Sequence, residues 1–388
     1  MRKLDRTAVE RIAKGACFLG SGGGGPLSIT PAIIDNIFKH SDHVKVVEVD
    51  EVPDEAGVAI VAGMGSPQHS AGITFDTAPA AAFDAVAKAS GLHLNYVAAV
   101  EVGAANSVIP MLVAAQKGLP LVDANGAGRA VPTLPLTTYA RAGVSAAPAV
   151  LSAVGVPGNP CEQSPRDASA EAVEDWAQVV LTTNPNFTQY NAGAVSLWAM
   201  SGSKLKQQGS QPTAIRGDLV LAEQVGRALE ANNPLAAVVD VLQTHQREVK
   251  VLGTGRVVAV QERDVGALDG GLVTVVMEHG VLQLPYLNEF LGAFAWDASP
   301  PRYLLGPDMI CCLTPDGEAL SNPAINDRFK QQGAFDMSVV AIEADAAIRK
   351  PDMFAYFAQH IAALYPGFRG GYEQPASLSM NWTGIARW

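Results

Sequence analysis

Along the first 160 residues, short unbroken apolar runs alternate with segments whose apolar positions recur every three to four residues. Asp5 is placed to cap a helix carrying Val9, Ile12 and Ala16 on one side. The run Ala16-Cys17-Phe18-Leu19 then enters the glycine-rich segment LGSGGGGPL. Thr30 followed by Pro31 signals a helix start, with Thr as N-cap, and that helix should run to about His40. Val44 to Val49 is rich in β-branched residues and reads as a strand, although its alternation slips by one position. Val58 to Ala62 and Tyr96 to Val100 read as buried strands, the first ending at Gly63-Met64-Gly65. Pro79 to Ala89 is helical, Ser107 to Lys117 is a helix stopped by Gly118, and Leu119 to Val122 is a further strand. This βαβα rhythm predicts an α/β domain with a mainly parallel sheet and helices on its faces.

The pattern changes twice more. From Ala168 to about Leu242 it turns helical, most clearly at Ala170–Leu181 and Leu219–Leu229, with breaks at Asn184-Pro185-Asn186 and 209–212. From Val249 onward, Val-rich runs at 249–251, 257–260, 272–277, 281–284 and 309–313 suggest an antiparallel sandwich or barrel. An amphipathic helix from Met353 to Leu364 precedes a Gly- and Pro-rich end. The expected division is an N-terminal α/β domain at 1–165 and a C-terminal domain at 166–388. The latter would be helical to 246 and β-rich to 345, with the tail from 346 packing back.

Composition narrows the function classes. The 388 residues are 48% apolar and only 17% charged, which excludes a disordered chain. So few charges beside 37 glycines imply extra buried surface, as in a large core or a homo-oligomer. The net charge of −11 argues against a nucleic-acid partner. No run is long and apolar enough for a membrane span, and both charge signs precede the first apolar stretch, unlike a secretory leader. Cys17, Cys161, Cys311 and Cys312 have neither disulfide-framework nor zinc spacing and read as free thiols of a reducing cytoplasm.

Candidate chemistry gathers at strand ends. Gly20, Gly22 and Gly25 satisfy G-x-G-x-x-G, with Asp50 where a ribose-binding acid would fall. Pro26 and the late helix start at Thr30-Pro31 argue against a dinucleotide, so no cofactor is expected. Gly22, Gly23, Gly24 and Gly25 read instead as a tight connection or as a backbone cradle for a ligand oxygen. Glu101 and Asp123 each follow a buried strand and so reach the edge where ligands bind in open α/β sheets. Asn106 lies beside the first. Asn125 and Arg129 accompany the second, with Arg129 suited to hold a substrate carboxylate or merely to pair with Asp123. Asn288, Glu289 and Asp308 place acids and an amide beside apolar strands, and His69 alone among the histidines follows a strand end. No nucleophile elbow, phosphate loop or zinc motif occurs, so a metal requirement stays open.

Five segments in order, LGSGGGG at 19–25, EVGAANS at 101–107, GLPLVDANGAGRAVP at 118–132, NEFL at 288–291 and GPDMI at 306–310, resemble the S-methyl thiohydantoin desulfurase family. The resemblance covers nearly the whole chain. It implies an α/β N-terminal and a β-containing C-terminal domain, an association with hydantoinase/oxoprolinase proteins, and removal of a methylthio group from a small cyclic amide. The chain departs from that pattern at Asn125, where an Asp is usual, and at Thr133, where a Glu is usual. SPQHS after Gly65 also lacks a Glu-Lys pair. Two function classes follow. One is a hydrolase using Asp123 or Glu101 as general base, with the Gly20–Gly25 backbone and Asn125 stabilising charge on the ring. The other is a non-catalytic subunit or ligand-binding partner of a hydantoinase-type enzyme.

Overall fold

The computed structural model describes residues 1–69, 72–296 and 302–365. Its first layer contains β1 (Arg2–Leu4), β2 (Val44–Val47), β3 (Gly57–Gly65), β4 (Leu94–Ala99) and β5 (Leu121–Val122). After the short β6 (Ala124–Asn125), the layer adds β7 (Val150–Ala153), β8 (Cys161–Gln163) and β9 (Ala192–Ser201). The strand order is β1-β2-β5-β4-β3-β9-β7-β8. The block β2-β5-β4-β3 is parallel, and the strands on either side of it join antiparallel. β3 explains why such a strand reads as an unbroken apolar run. Ala59 and Val61 pack into one core and Val58, Ile60 and Ala62 into another, because both faces of the sheet are covered.

Helices α1 (Arg6–Leu19), α2 (Thr30–His40), α3 (Ala78–Ser90) and α4 (Ala104–Lys117) accompany the parallel block. Asp5 caps α1 by accepting from the Ala8 N–H. Gly91 and Gly118 end α3 and α4 in the left-handed conformation, which lets the chain leave each helix without a Cβ clash. Thr30 does not cap α2. Its hydroxyl donates to the Leu27 carbonyl across a preceding turn, and the cap position falls to Ile29.

Short α5 (Thr138–Arg141) and α6 (Ala170–Thr183) precede β9, and α7 (Gly202–Leu205) follows it. β10 (Ile215–Arg216), which pairs with β6, then leads into α8 (Asp218–Ala228) and α9 (Pro234–Thr244). β9 lies inside the stretch that reads as helical. It is buried along almost its whole length, so it lacks the alternation that separates strand from helix.

The second layer is an antiparallel sheet. It comprises β11 (Val249–Val265), β12 (Leu268–Val276), β13 (Val281–Leu287), β14 (Glu289–Phe290), β15 (Gly292–Ala295), β16 (Arg302–Leu305), β17 (Met309–Leu313), β18 (Ala319–Leu320) and β19 (Phe335–Ile342). Its order is β16-β15-β13-β12-β11-β19-β17-β18, with β14 turned back on β13. Two of the Val-rich runs, at 249–251 and 257–260, belong to the single strand β11. The pairing slips between Val251 and Gly253 and again between Val257 and Ala259, so the strand bulges at two places and runs on through Gly253 and Gly255 instead of turning. Helix α10 (Asn322–Gln332) covers one end, and α11 (Pro351–Leu364) packs its apolar face on β15 and β16.

The two layers share a core. Met309, Cys311 and Leu313 of β17 join the cluster around α1, while Ile310 and Cys312 face the interior of the second sheet. Adjacent Cys311 and Cys312 therefore point apart, and both are free thiols. Among the described residues, no helix is long and apolar enough to cross a membrane.

Candidate active site

A cleft of about 800 Å³ opens where the C-terminal edge of the parallel block meets β14 of the second sheet. Glu101 arrives from the first layer, two residues beyond β4. Its Oε2 accepts from the Val131 N–H at 2.8 Å, and its Oε1 accepts from Asn106 Nδ2 at 2.7 Å. Asn106 is held in turn because its Oδ1 accepts from the Gly63 N–H at 2.8 Å. Glu289 arrives from the second layer, delivered by the left-handed turn at Asn288 (φ 54°) between β13 and β14. Its side chain is buried, and Oε2 has no hydrogen-bond partner. A buried acceptor left in this state is costly unless the group keeps its proton or meets a ligand.

The two carboxyls influence one another. Burial pushes the Glu101 pKa up to about 7, against the pull of the Val131 and Asn106 hydrogen bonds and the Arg129 charge. Burial and then the Glu101 charge push Glu289 well above the ordinary carboxylate range. Both carboxyls are thus held above the ordinary carboxylate range, Glu101 at a value near neutral pH. A third carboxyl, Glu174 of α6, lines the same cleft. It accepts from the Leu134 N–H and from Gln178 Nε2, and burial raises its pKa as well.

The glycine segment forms the wall between these acids. A Cβ on Gly23 would fall 1.9 Å from Glu289 Oε1, and one on Gly24 would fall 2.4 Å from the Gly103 Cα. Glycine is required here for close approach, so that Glu289 can reach the cleft and α4 can start against the loop. The Gly24 carbonyl accepts from the Ala105 and Asn106 N–H groups at the start of α4. The Gly22 carbonyl accepts from the Asn322 N–H, and the Ser21 carbonyl from Phe290. Gly24 and Gly25 line the cleft, while Gly22 and Gly23 lie behind it against Asn322 and Glu289.

Asp123, Asn125 and Arg129 do not line this cleft. Asp123 faces a separate small cavity that it shares with Glu101, Asn125 and Asp218, where its Oδ1 accepts from the Leu219 N–H at the start of α8. Asn125 Oδ1 accepts from the Ala127 and Gly128 N–H groups, and its amide donates to Asp218, which fixes the loop. Arg129 is wholly buried and its donors are taken by carbonyls. Nε serves Ala130, Nη1 serves Pro307 and Asp308, and Nη2 serves Phe290. It has no fork left for a substrate carboxylate and does not pair with Asp123. Asp308 is equally buried and accepts from the Ala344 N–H and from Arg349. Cys17, beside the glycine loop, is no thiolate, since burial pushes it up to about 12.

The Asp123 environment gives a stability test. Burial raises its pKa from 3.8 to about 6, with Asp218 and Glu48 adding to the effect. The folded state thus binds this proton more tightly, so the stabilising contribution is complete below about pH 4 and is lost as pH rises through about 6. Asp123→Asn is expected to stabilise the fold by on the order of 2 kcal/mol at about pH 7.5 and to change nothing below about pH 4, read by urea unfolding. Destabilisation at the higher pH would contradict this assignment.

Sequence reasoning passed over Thr137, Glu174 and Gln178 and met Thr133 and the segment from Ser66 only as departures from the family pattern, yet all five residues line the cleft. Glu174 left a signal, because it sits among Val173, Ala177 and Leu181 on the buried side of α6. Ser66 joins the cleft to its neighbour. Its hydroxyl donates to Asp269 Oδ1 at 2.5 Å and lies 2.7 Å from His69 Nδ1. Among the described residues, His69, Asp264 and Asp269 form a group that could hold a metal ion, with ligand atoms within 4.8 Å of one another. They line that neighbouring cavity and not the cleft of the glutamates. Asn288 lines the cleft, but its Oδ1 accepts from the Asp269 N–H and its amide donates to the Gly65 carbonyl.

Fold and cleft together define a two-domain α/β-plus-antiparallel-β protein with an acid-lined cleft at the junction of its sheets. The chain belongs to the S-Me-THD-like family. The model of the family's N-terminal domain matches residues 7–155, and that of its C-terminal domain matches residues 174–360. A crystal structure of a protein from Chromobacterium violaceum is similar, with 30% sequence identity and a TM-score of 0.77. That likeness covers 94% of this chain and 98% of the other. No curated protein matches.

Proposed function

We propose that the cleft binds a small thiohydantoin-like cyclic amide and removes its methylthio group by hydrolysis. The observation that carries this reading is the burial of Glu101 and Glu289 in one cleft, where burial raises the pKa of both carboxyls. The family description supports the substrate class. Water attacks the ring carbon that bears sulfur, the C=N π pair moves onto the ring nitrogen, and ionised Glu101 takes one water proton as the C–O bond forms. The C–S bond then breaks, and Glu289 gives its proton to the departing thiolate. The other water proton stays with the ring amide. The products are the ring carbonyl and methanethiol, and proton transfer from Glu101 to Glu289 resets the pair. Asn106 and the Val131 N–H position the base through their hydrogen bonds to its two oxygens.

Incubating the full chain with S-methyl thiohydantoins and assaying released thiol tests this directly. kcat/KM should rise as pH increases through about 7 and fall at higher pH, once Glu289 ionises. No thiol release across a panel of ring substituents would overturn the reading. Stable association with a hydantoinase-type subunit would then favour the non-catalytic role.

A further inference from the structure

The lining of the cleft is divided in a way that the reaction alone does not require. The three glutamates and the amides of Asn106, Gln178 and Asn288 account for most of its polar side chains, and no Lys, Arg or His lines it among the described residues. A second part of the wall is hydrocarbon, formed by Ile29, Phe75 and Ile109 of one core cluster. Between the two parts lies Gly63 of β3. A Cβ there would meet Ile109 Cδ1 at 3.1 Å, Phe75 Cζ at 3.2 Å and Asn106 Oδ1 at 3.4 Å. Gly63 is not among the residues of positive φ, so other residues could adopt its backbone. What glycine preserves at this point is the close approach of Ile109 and Phe75, which any side chain would have to displace.

We infer that the apolar end of the cleft receives the ring substituent of the ligand, that this substituent is uncharged hydrocarbon, and that Gly63 sets the size it can reach. The inference rests on the ring-binding reading above and extends it to substrate class. An anionic substituent would be buried beside three carboxyls with no counter-charge, an arrangement whose desolvation cost nothing in the lining offsets. Arg129, the nearest buried cation, has every nitrogen committed to backbone carbonyls. An aliphatic or aromatic group gains instead by displacing water from Ile29, Phe75 and Ile109, all of them buried.

The test measures binding by calorimetry and thiol release side by side for S-methyl thiohydantoins whose substituent is hydrogen, isobutyl, benzyl or carboxyethyl. Isobutyl and benzyl ligands should bind at least about tenfold more tightly than the bare ring, and carboxyethyl at least about tenfold more weakly than isobutyl. Gly63→Val should reverse the gain, lowering the isobutyl-to-hydrogen affinity ratio by about tenfold or more, with Gly63→Ala intermediate. Equal or tighter binding of the carboxyethyl ligand, or a substituent ratio unmoved in both variants, would overturn the inference even if thiol is released. Absence of binding by the whole panel would also overturn it. Substituent-selective binding without thiol release would instead overturn the hydrolytic reading and leave this one standing.

Discussion

Glu101→Gln should lower kcat/KM for thiol release by about 10²–10⁴-fold, the range over which a positioned general base accelerates a proton transfer. The substitution keeps a carbonyl oxygen to accept from the Val131 N–H, so the loop after β6 retains its anchor. It sets an NH2 group against Asn106 Nδ2, where the carboxylate had accepted. That mismatch costs about 1 kcal/mol and is partly offset by removing a buried charge. The variant should therefore fold, and thermal unfolding distinguishes loss of chemistry from loss of structure. The limb of the pH profile near 7 should disappear with the carboxyl. Glu289→Gln should remove the opposite limb, and the double variant should lose less than the product of the single losses, because the two groups act as a unit. Turnover within threefold of the unmodified protein would remove Glu101 from the chemistry.

Arg129→Met should destabilise the fold by about 3–5 kcal/mol, the largest stability effect expected of any single substitution considered. The guanidinium sits where the two layers meet and donates to carbonyls of Phe290, Pro307 and Asp308 from the second layer, and to its own neighbour Ala130. Methionine restores hydrocarbon volume but leaves those carbonyls without a donor. It also removes the positive charge that holds down the pKa values of Glu101 and Glu289. Both limbs of the pH profile should then move to higher pH. Arg129→Lys should recover only part of the stability, because one ammonium cannot span carbonyls that a planar fork reaches together. Urea unfolding gives the comparison, and a loss below about 1 kcal/mol would show that the carbonyls find other donors.

Much of the first layer was legible. Asp5, the helix stop at Gly118 and the apolar runs at 58–62 and 96–100 mark local events that neighbouring residues decide. The placement of Glu101 at a strand end was legible for the same reason. β9 was not, because a strand buried on both faces carries no period. β11 read as two strands because Gly253 and Gly255, which lie within a continuous strand, look in sequence like glycines that form a turn.

The roles of the acids divide along the same line. Asp123 and Glu101 look equivalent in sequence, each closing a buried strand and preceding a polar loop. Tertiary packing separates them. α8 arrives to be capped by Asp123, whereas β14 brings Glu289 toward Glu101 from nearly two hundred residues away. Arg129 looked like an anion receptor until four carbonyls occupied its donors. By itself the sequence determined the order of secondary structure, the glycine-lined edge and the type of residue available there, because propensity, capping and periodicity are local. Only the tertiary structure decided which carboxyls share a cleft, which cations are already committed and which residues wall the apolar end. Those depend on burial and on partners far along the chain, and burial is what moves a glutamate from an ordinary surface acid to a group that can exchange protons near neutral pH.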